Sequence, residues 1–245
     1  MQEMKDKVIF IAVGHHRYEA ALNYRNELKV RNTKFTEDEA YNHVMMFFMP
    51  LEDKGLVVLP IHRVVSGLSY FDPARFIQDL GQLFDVKPYP ANAKTAPIVR
   101  KKLLKDLANV GLDQPAFGLY LGKHQYYLLT LRDEKSLEEL IPVDKPKAWK
   151  TLDVTILHYL VFDQLLNIAQ QTEDKVTYFK EVTDAEELVD KKGAVLAFFL
   201  NPTRIDQITA IASKLEKLPH KSTYFYPKLL SGLLINNFNP SDKIS

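Results

Sequence analysis

A chain of 245 residues with net charge +1, 46% hydrophobic and 26% charged residues and no cysteine is long enough for one large domain or two small ones with a proper core. Near-neutral charge excludes a global field that would draw it to DNA or an anionic membrane, so any anion site must be local and no nucleic-acid partner is expected. The absence of cysteine excludes disulfides and thiolate metal sites. No apolar run is long enough for a bilayer span, the N-terminal run is too short and its flank too charged for a signal peptide, and a cytoplasmic protein is expected.

In chain order, Val8 to Ala12 is an apolar run that predicts a buried strand, broken by Gly14. His15, His16 and Arg17 follow, and the spacing of Tyr18, Ala21 and Leu22 predicts a helix beginning within two residues of His16. The first N–H groups of such a helix lack intrahelical partners, and the helix dipole is positive there, so a phosphate fits the turn. Arg17 adds a planar cationic fork and the histidines add donors. Strand-Gly-helix turns also occur without any ligand, and two adjacent histidines can be an exposed pair.

Thr36 and Glu39 form a capping-box pattern that predicts a short helix. Val44 to Met49 reads as a buried strand, paired in a hairpin with Leu56 to Leu59 across Asp53-Lys54-Gly55. Pro60 ends that strand, which puts His62 and Arg63 just beyond a strand end, where ligands of α/β sheets lie. Asp72 and Pro73 cap and open a helix with Phe76, Leu80 and Leu83 on one face. Lys87 to Pro97 reads as a loop. Ile98 to Val110 is a helix with a basic face and a buried side of Ile98, Leu103, Leu104 and Leu107. Gly122-Lys123 marks a hairpin between Ala116–Leu121 and Gln125–Leu131.

Pro142 to Lys147 reads as a linker. Leu152 to Leu166 predicts an amphipathic helix with Asp153 near its start, a favourable place for a carboxylate. Strands at Val176–Phe179 and Ala194–Leu200 alternate with helices at Ala185–Lys191 and Ile205–Leu215, which predicts some parallel pairing. The apolar run 194–200 suggests a strand buried on both faces. Lys221, Ser222, Thr223 and Lys228 combine phosphate-friendly groups, Tyr224 and Tyr226 alternate around Phe225 as in a strand, and Asn237 to Ser245 reads as a frayed tail. The fold class expected is α/β with mixed α+β character: a mixed sheet carrying the strand-Gly-helix turn, and a smaller α+β unit with a hairpin. The expected parts are residues 1–66, with the anion-binding turn; 67–141, the smaller unit; and 142–245, completing the main domain.

GHHRYEAAL resembles the Gly-His-His-Arg-Tyr-Glu-x-Ala box of the family called domain of unknown function 1015. LPIHRVV, LDVTIL, AFFLNPT and KSTYFYPKLLSGL resemble further boxes of that family in the same order. The first box is also similar to the phosphate-binding boxes of ParB proteins and sulfiredoxins, which hold nucleotide phosphates in a group that includes nucleotide-hydrolysing switches and a kinase acting on free serine. Three departures stand out: Val13 replaces the family's Asp, Ile61 replaces its Thr, and the long segment that precedes the box in family members is missing here. The chain therefore resembles the C-terminal part of the family architecture, with a separate N-terminal segment as an implied partner.

The resemblance implies binding of a phosphate-bearing small molecule by Gly14, His15, His16, Arg17, His62, Arg63, Lys221, Ser222, Thr223 and Lys228. ATP, ADP or another nucleotide with Mg2+ is the implied cofactor, and phosphoryl transfer of the small-molecule-kinase type the implied chemistry. His16 and Glu19 are the catalytic candidates, although Glu19 also suits a simple i,i+4 pair with His15. The alternative is a non-catalytic binding or regulatory module. No spacing for a zinc site, P-loop or nucleophile elbow occurs, and no metal ligands are expected.

Overall fold

The computed structural model describes residues 4–168, 173–230, 232–237, 239–240 and 242–243. Phe238, Ser241, Ile244 and Ser245, part of the expected tail, lie outside the described residues. The chain forms two compact units, residues 58–224 and residues 1–57 with 225–245. It is an α+β protein with a six-stranded antiparallel sheet, a two-stranded sheet and interspersed helices.

The first unit opens with α1 (His15–Arg31), which starts where the periodicity predicts and buries none of its residues. Val8 to Ala12 is not a strand, contrary to expectation, and Val8 is 80% exposed. An apolar run becomes a strand only when its backbone groups find partners, and none of the described strands pairs with it. Val44 to Met49 is likewise irregular, with Met45 and Phe47 exposed. The Thr36–Glu39 pattern delivers half of its box: the Glu39 carboxylate accepts from the Thr36 N–H at 3.0 Å, but only a 3-10 turn, Ala40–Asn42, follows. The tail is tied down at this turn, because the Ala40 N–H donates to the Asp242 carbonyl at 2.9 Å.

The strands are β1 (Val57–Leu59), β2 (His62–Val65), β3 (Phe84–Pro90), β4 (Ala116–Tyr120), β5 (Gln125–Leu131), β6 (Val176–Phe179), β7 (Leu196–Phe199) and β8 (Tyr224–Tyr226). β1 pairs with β8, so the hairpin expected across residues 53–55 is replaced by a long-range pairing. In β8, Phe225 is buried and Tyr226 exposed, as the alternation predicts. The larger sheet has the order β3-β5-β4-β7-β2-β6.

The second unit carries α2 (Pro73–Leu83), α3 (Ala96–Val110), α4 (Leu137–Leu140), α5 (Lys147–Lys150), α6 (Asp153–Ile156), α7 (Val182–Lys192) and α8 (Ile205–Ala212), with a π-helical stretch, Leu157–Leu165, continuing α6. Asp72 caps α2 by accepting from the Ala74 and Arg75 N–H groups at 2.9 and 3.3 Å. Residues 87–90, expected in a loop, end β3 instead, and Ile98 on α3 is exposed while Leu103 and Leu107 are buried. The 142–147 stretch lies within the unit 58–224 and does not separate compact units.

Every pairing in the sheet is antiparallel, contrary to the parallel pairing expected. The reason is insertion. β6 and β7, joined through α7, do run parallel, but β2 lies between them and antiparallel to both. β5 separates β3 from β4 in the same manner, with α3 in the crossover. The sheet is thus two split β-α-β units laid side by side along β4 and β7.

The strands alternate between two cores, as a period of two requires. Phe117, Leu119, Leu129, Val65, Leu196 and Phe198 pack with α2 and the α6–π segment. Ala116, Tyr120, Leu128, Val64, Ala197 and Phe199 pack with α3 and α7. β7 is buried along its whole length, as its apolar run predicts. At Gly118 a Cβ would stand 3.0 Å from the Phe199 ring, so the register there depends on the absent side chain.

The Tyr120 hydroxyl ties β4 to α7 through the Asp190 carboxylate at 2.7 and 2.8 Å. Tyr120→Phe is expected to cost about 1.5–3 kcal/mol, the range for one hydrogen bond to a charged acceptor. Urea unfolding at neutral pH reads this directly, and an unchanged midpoint would mean that water replaces the hydroxyl at no cost.

Candidate functional site

Gly14 sits at the N-cap of α1 with φ 90° and ψ 29°, a left-handed conformation that favours glycine. The Tyr18 N–H reaches the Gly14 carbonyl at 3.0 Å, making the first helical bond. The N–H groups of His15, His16 and Arg17 precede that bond and have no intrahelical acceptor. No side chain caps the helix, and its first turn holds no acid.

Arg17 bends back over the turn: its Nη2 lies 3.0 Å from where a Cβ on Gly14 would stand. Glycine therefore serves both the backbone angle and the approach of the guanidinium. His15, His16 and Arg17 are exposed, and Nδ1 of His16 lies 3.8 Å from a Glu19 carboxylate oxygen. Glu19 thus meets His16 at i,i+3. Val13 is half exposed. Lys228 is exposed in the same unit.

The other expected site residues lie in the unit 58–224. His62 and Arg63 are not beyond a strand end; they open β2, which is paired on both sides and buried. His62 accepts from the Leu200 N–H through Nδ1 at 3.2 Å and meets the Phe199 ring edge-on. Burial, with the Arg63 charge adding to it, pushes the His62 pKa down to about 4, so the ring is neutral.

Arg63 is 1% exposed. Its Nη1 donates to the Ile61 carbonyl and its Nη2 to the Lys221 carbonyl at 2.8 Å, while Nε is buried without a hydrogen-bond partner. Burial lowers its pKa to about 10, with Tyr178 and Asp153 opposing, so it remains charged at neutral pH. The structure thus does bring Arg63 to the Lys221–Ser222 segment, but through a backbone carbonyl. Ser222 is buried, donates through its hydroxyl to the Pro219 carbonyl, and its own carbonyl accepts from Thr203 at 2.8 Å. The Lys221 ammonium is 5.9 Å from the Tyr178 ring centroid, and Thr223 is half-buried.

A second polar group was not recognised from sequence. Asp153, read as a helix-start carboxylate, is pushed up to about 7 by burial, against the pull of Arg204 and Arg63. His158 is pushed down to about 4 by burial and by Arg63, and its Nε2 is buried without a partner. The available signal was the presence of Asp153, His158 and Asp163 in the otherwise largely apolar stretch Leu152–Leu166. Among the described residues no group of three or more His, Asp or Glu side chains could hold a metal ion, and no helix is long and apolar enough to cross a membrane.

The profile described as protein of unknown function DUF1015 matches residues 1–155, and the chain belongs to that family. No curated protein matches it. Among solved structures, a conserved hypothetical protein from Pyrococcus furiosus is similar at 15% identity and TM-score 0.41, over 88% of this chain and 68% of that one. A free serine kinase in complex with AMP is similar at 14% identity and TM-score 0.36, over 72% of this chain and 56% of that one. A mutant of that kinase in complex with ADP gives 15% identity and the same TM-score. The chain spans little more than half the length of the kinase.

Proposed function

We propose that this chain binds a nucleotide or other phosphorylated metabolite at the Gly14–Arg17 turn. The observation that carries the reading is the start of α1: uncapped, free of acid in its first turn, and overlaid by the Arg17 guanidinium. Amide donors, helix dipole and guanidinium all favour one anion, and none is offset by a nearby capping carboxylate. The likeness of the Gly-His-His-Arg box to ParB and sulfiredoxin boxes agrees with a nucleotide as ligand. Phosphoryl transfer with Mg2+ is the finer reading, with His16 and Glu19 as the catalytic pair and the exposed Lys228 ammonium group, in the same unit, as a further phosphate contact.

The second reading, a binding or regulatory module without turnover, is favoured by Val13. An apolar side chain stands where a carboxylate could orient His16 or hold a metal beside the phosphates.

The test is calorimetric titration with ATP, ADP and CTP, with and without magnesium. A charge-assisted hydrogen bond contributes about 1.5–3 kcal/mol, so Arg17→Ala should weaken binding about tenfold or more. Arg17→Lys should recover only part, because the planar fork is lost. Val13→Asp should bring turnover if the first reading holds. Equal affinity in wild type and Arg17→Ala, or no binding by either, would remove the nucleotide.

A further inference from the structure

Within the unit 58–224, a cavity of ≈ 330 Å³ opens between the Gly111–Pro115 turn and the Asn201–Arg204 segment. Asp113, Glu134 and Asp153 line it, with the polar groups of Thr151 and Asn201 between them and Arg204 as its one cation. That cation is already matched: Nε and Nη2 of Arg204 lie 3.2 and 3.4 Å from the two Asp206 oxygens, and Nη1 lies 3.4 Å from the Gly111 carbonyl. Asn201 spends its Nδ2 on the Leu107 carbonyl at 3.1 Å, which leaves its acceptor oxygen for the cavity. The available lining is therefore acceptor-rich and acidic.

Asp153 lies deepest. Its carboxyl makes no hydrogen bond to a described residue, although it is desolvated and borders the cavity. An unpaired desolvated carboxyl is costly and calls for a donor. The carboxylates do not converge as metal ligands would, since no metal-competent cluster exists among the described residues. Dispersed acceptors around a space of this size suit a molecule of several atoms with separated donors.

We propose that this cavity is a binding site for a small organic cation with a primary ammonium group, anchored by Asp153 and drawn in by Asp113 and Glu134. The site is independent of the phosphate reading for α1, and either can fail alone. The charges that face Asp153 are Arg63 from β2 and Arg204 from the segment before α8, with Asp113 and Glu134 across the cavity. Burial holds the empty Asp153 carboxyl near pKa 7, and an ammonium ligand favours its ionised form. Binding near neutral pH thus releases a proton from Asp153.

The probe is putrescine, titrated calorimetrically into the whole chain at pH 8 and pH 6, with magnesium chloride in parallel. Affinity should fall about tenfold at the lower pH. Heats measured near pH 7 in two buffers of different ionisation enthalpy should show proton release. Asp153→Asn should weaken binding about tenfold or more and abolish the proton release. Glu134→Gln and Asp113→Asn, at exposed positions where folding is not at stake, should each weaken it several-fold and more so at low salt. Binding unaffected by the Glu134 and Asp113 changes would overturn the proposal, as would absence of proton release or binding of magnesium but not putrescine.

Discussion

Arg63→Met is expected to lower the free energy of unfolding by about 3–5 kcal/mol, the range for removing one partner from a buried charged network. The guanidinium is enclosed and donates to the carbonyls of Ile61 and Lys221. Methionine fills much of the same volume, so the loss comes from two carbonyls left without donors rather than from an empty space. Arg63→Lys keeps the charge but not the fork, and one ammonium is not shaped to serve both carbonyls. It should recover a minority of the loss. For a domain stable by about 5–15 kcal/mol, the methionine variant would be marginal at 37 °C. Urea denaturation followed by far-UV circular dichroism measures the difference. A loss below about 1 kcal/mol, with nucleotide binding reduced, would make Arg63 a ligand group instead of a clamp.

Acidification is the second large effect, and its sign differs between residues. His62 and His158 have folded pKa values near 4 against an ordinary 6.5. A depressed folded value gives stability that is complete above 6.5 and is lost as pH falls through 4. At 1.36 kcal/mol per unit, each histidine forfeits about 3 kcal/mol across that window. Asp153 works in the opposite direction. Its folded value near 7 lies above the ordinary 3.8, so its contribution is complete below 3.8 and lost as pH rises through 7. Between pH 6.5 and 4 it returns about 3 kcal/mol. The wild type should therefore lose about 2–3 kcal/mol, and Asp153→Asn, without the offset, about twice that. His158→Phe should flatten the profile. Urea midpoints at pH 7, 5.5 and 4 test both signs; parallel profiles for wild type and Asp153→Asn would refute the assignment.

Local signals were readable in the sequence, and pairing partners were not. Asp72-Pro73, the Gly122-Lys123 hairpin and the start of α1 depend on neighbouring residues, and each formed where expected. The apolar runs at 8–12 and 44–49 looked like strands because composition reports the capacity to pair, whereas pairing is decided elsewhere in the chain. β2 shows the reverse case. His62-Arg63 looked like a polar strand end, yet β6 and β7 enclose it on both sides, and the arginine is tolerated only because carbonyls from Ile61 and Lys221 meet it. The β-α-β alternation gave the relative direction of β6 and β7 correctly but not the strand inserted between them. Of the site, the Gly14 turn was legible because glycine, helix start and arginine are contiguous. The Asp153 cavity was not, because its lining comes from four separate stretches of chain between Ala108 and Gln207.

The position of β3 at one end of the sheet bears on self-association. An open edge is a row of donors and acceptors that can recruit a strand from another molecule, and proteins must block it. Pro88 and Pro90 pair with Tyr127 and Gln125 of β5, and a proline within a paired strand sits where its missing N–H would have faced outward. The outer rim of β3 thus lacks two donors near its end, and Lys87 would place a charge against an incoming strand. The opposite edge, β6, spans only Val176–Phe179 and offers little length for docking. Both rims of this sheet resist growth by strand addition, which protects a fully antiparallel sheet from edge-to-edge aggregation.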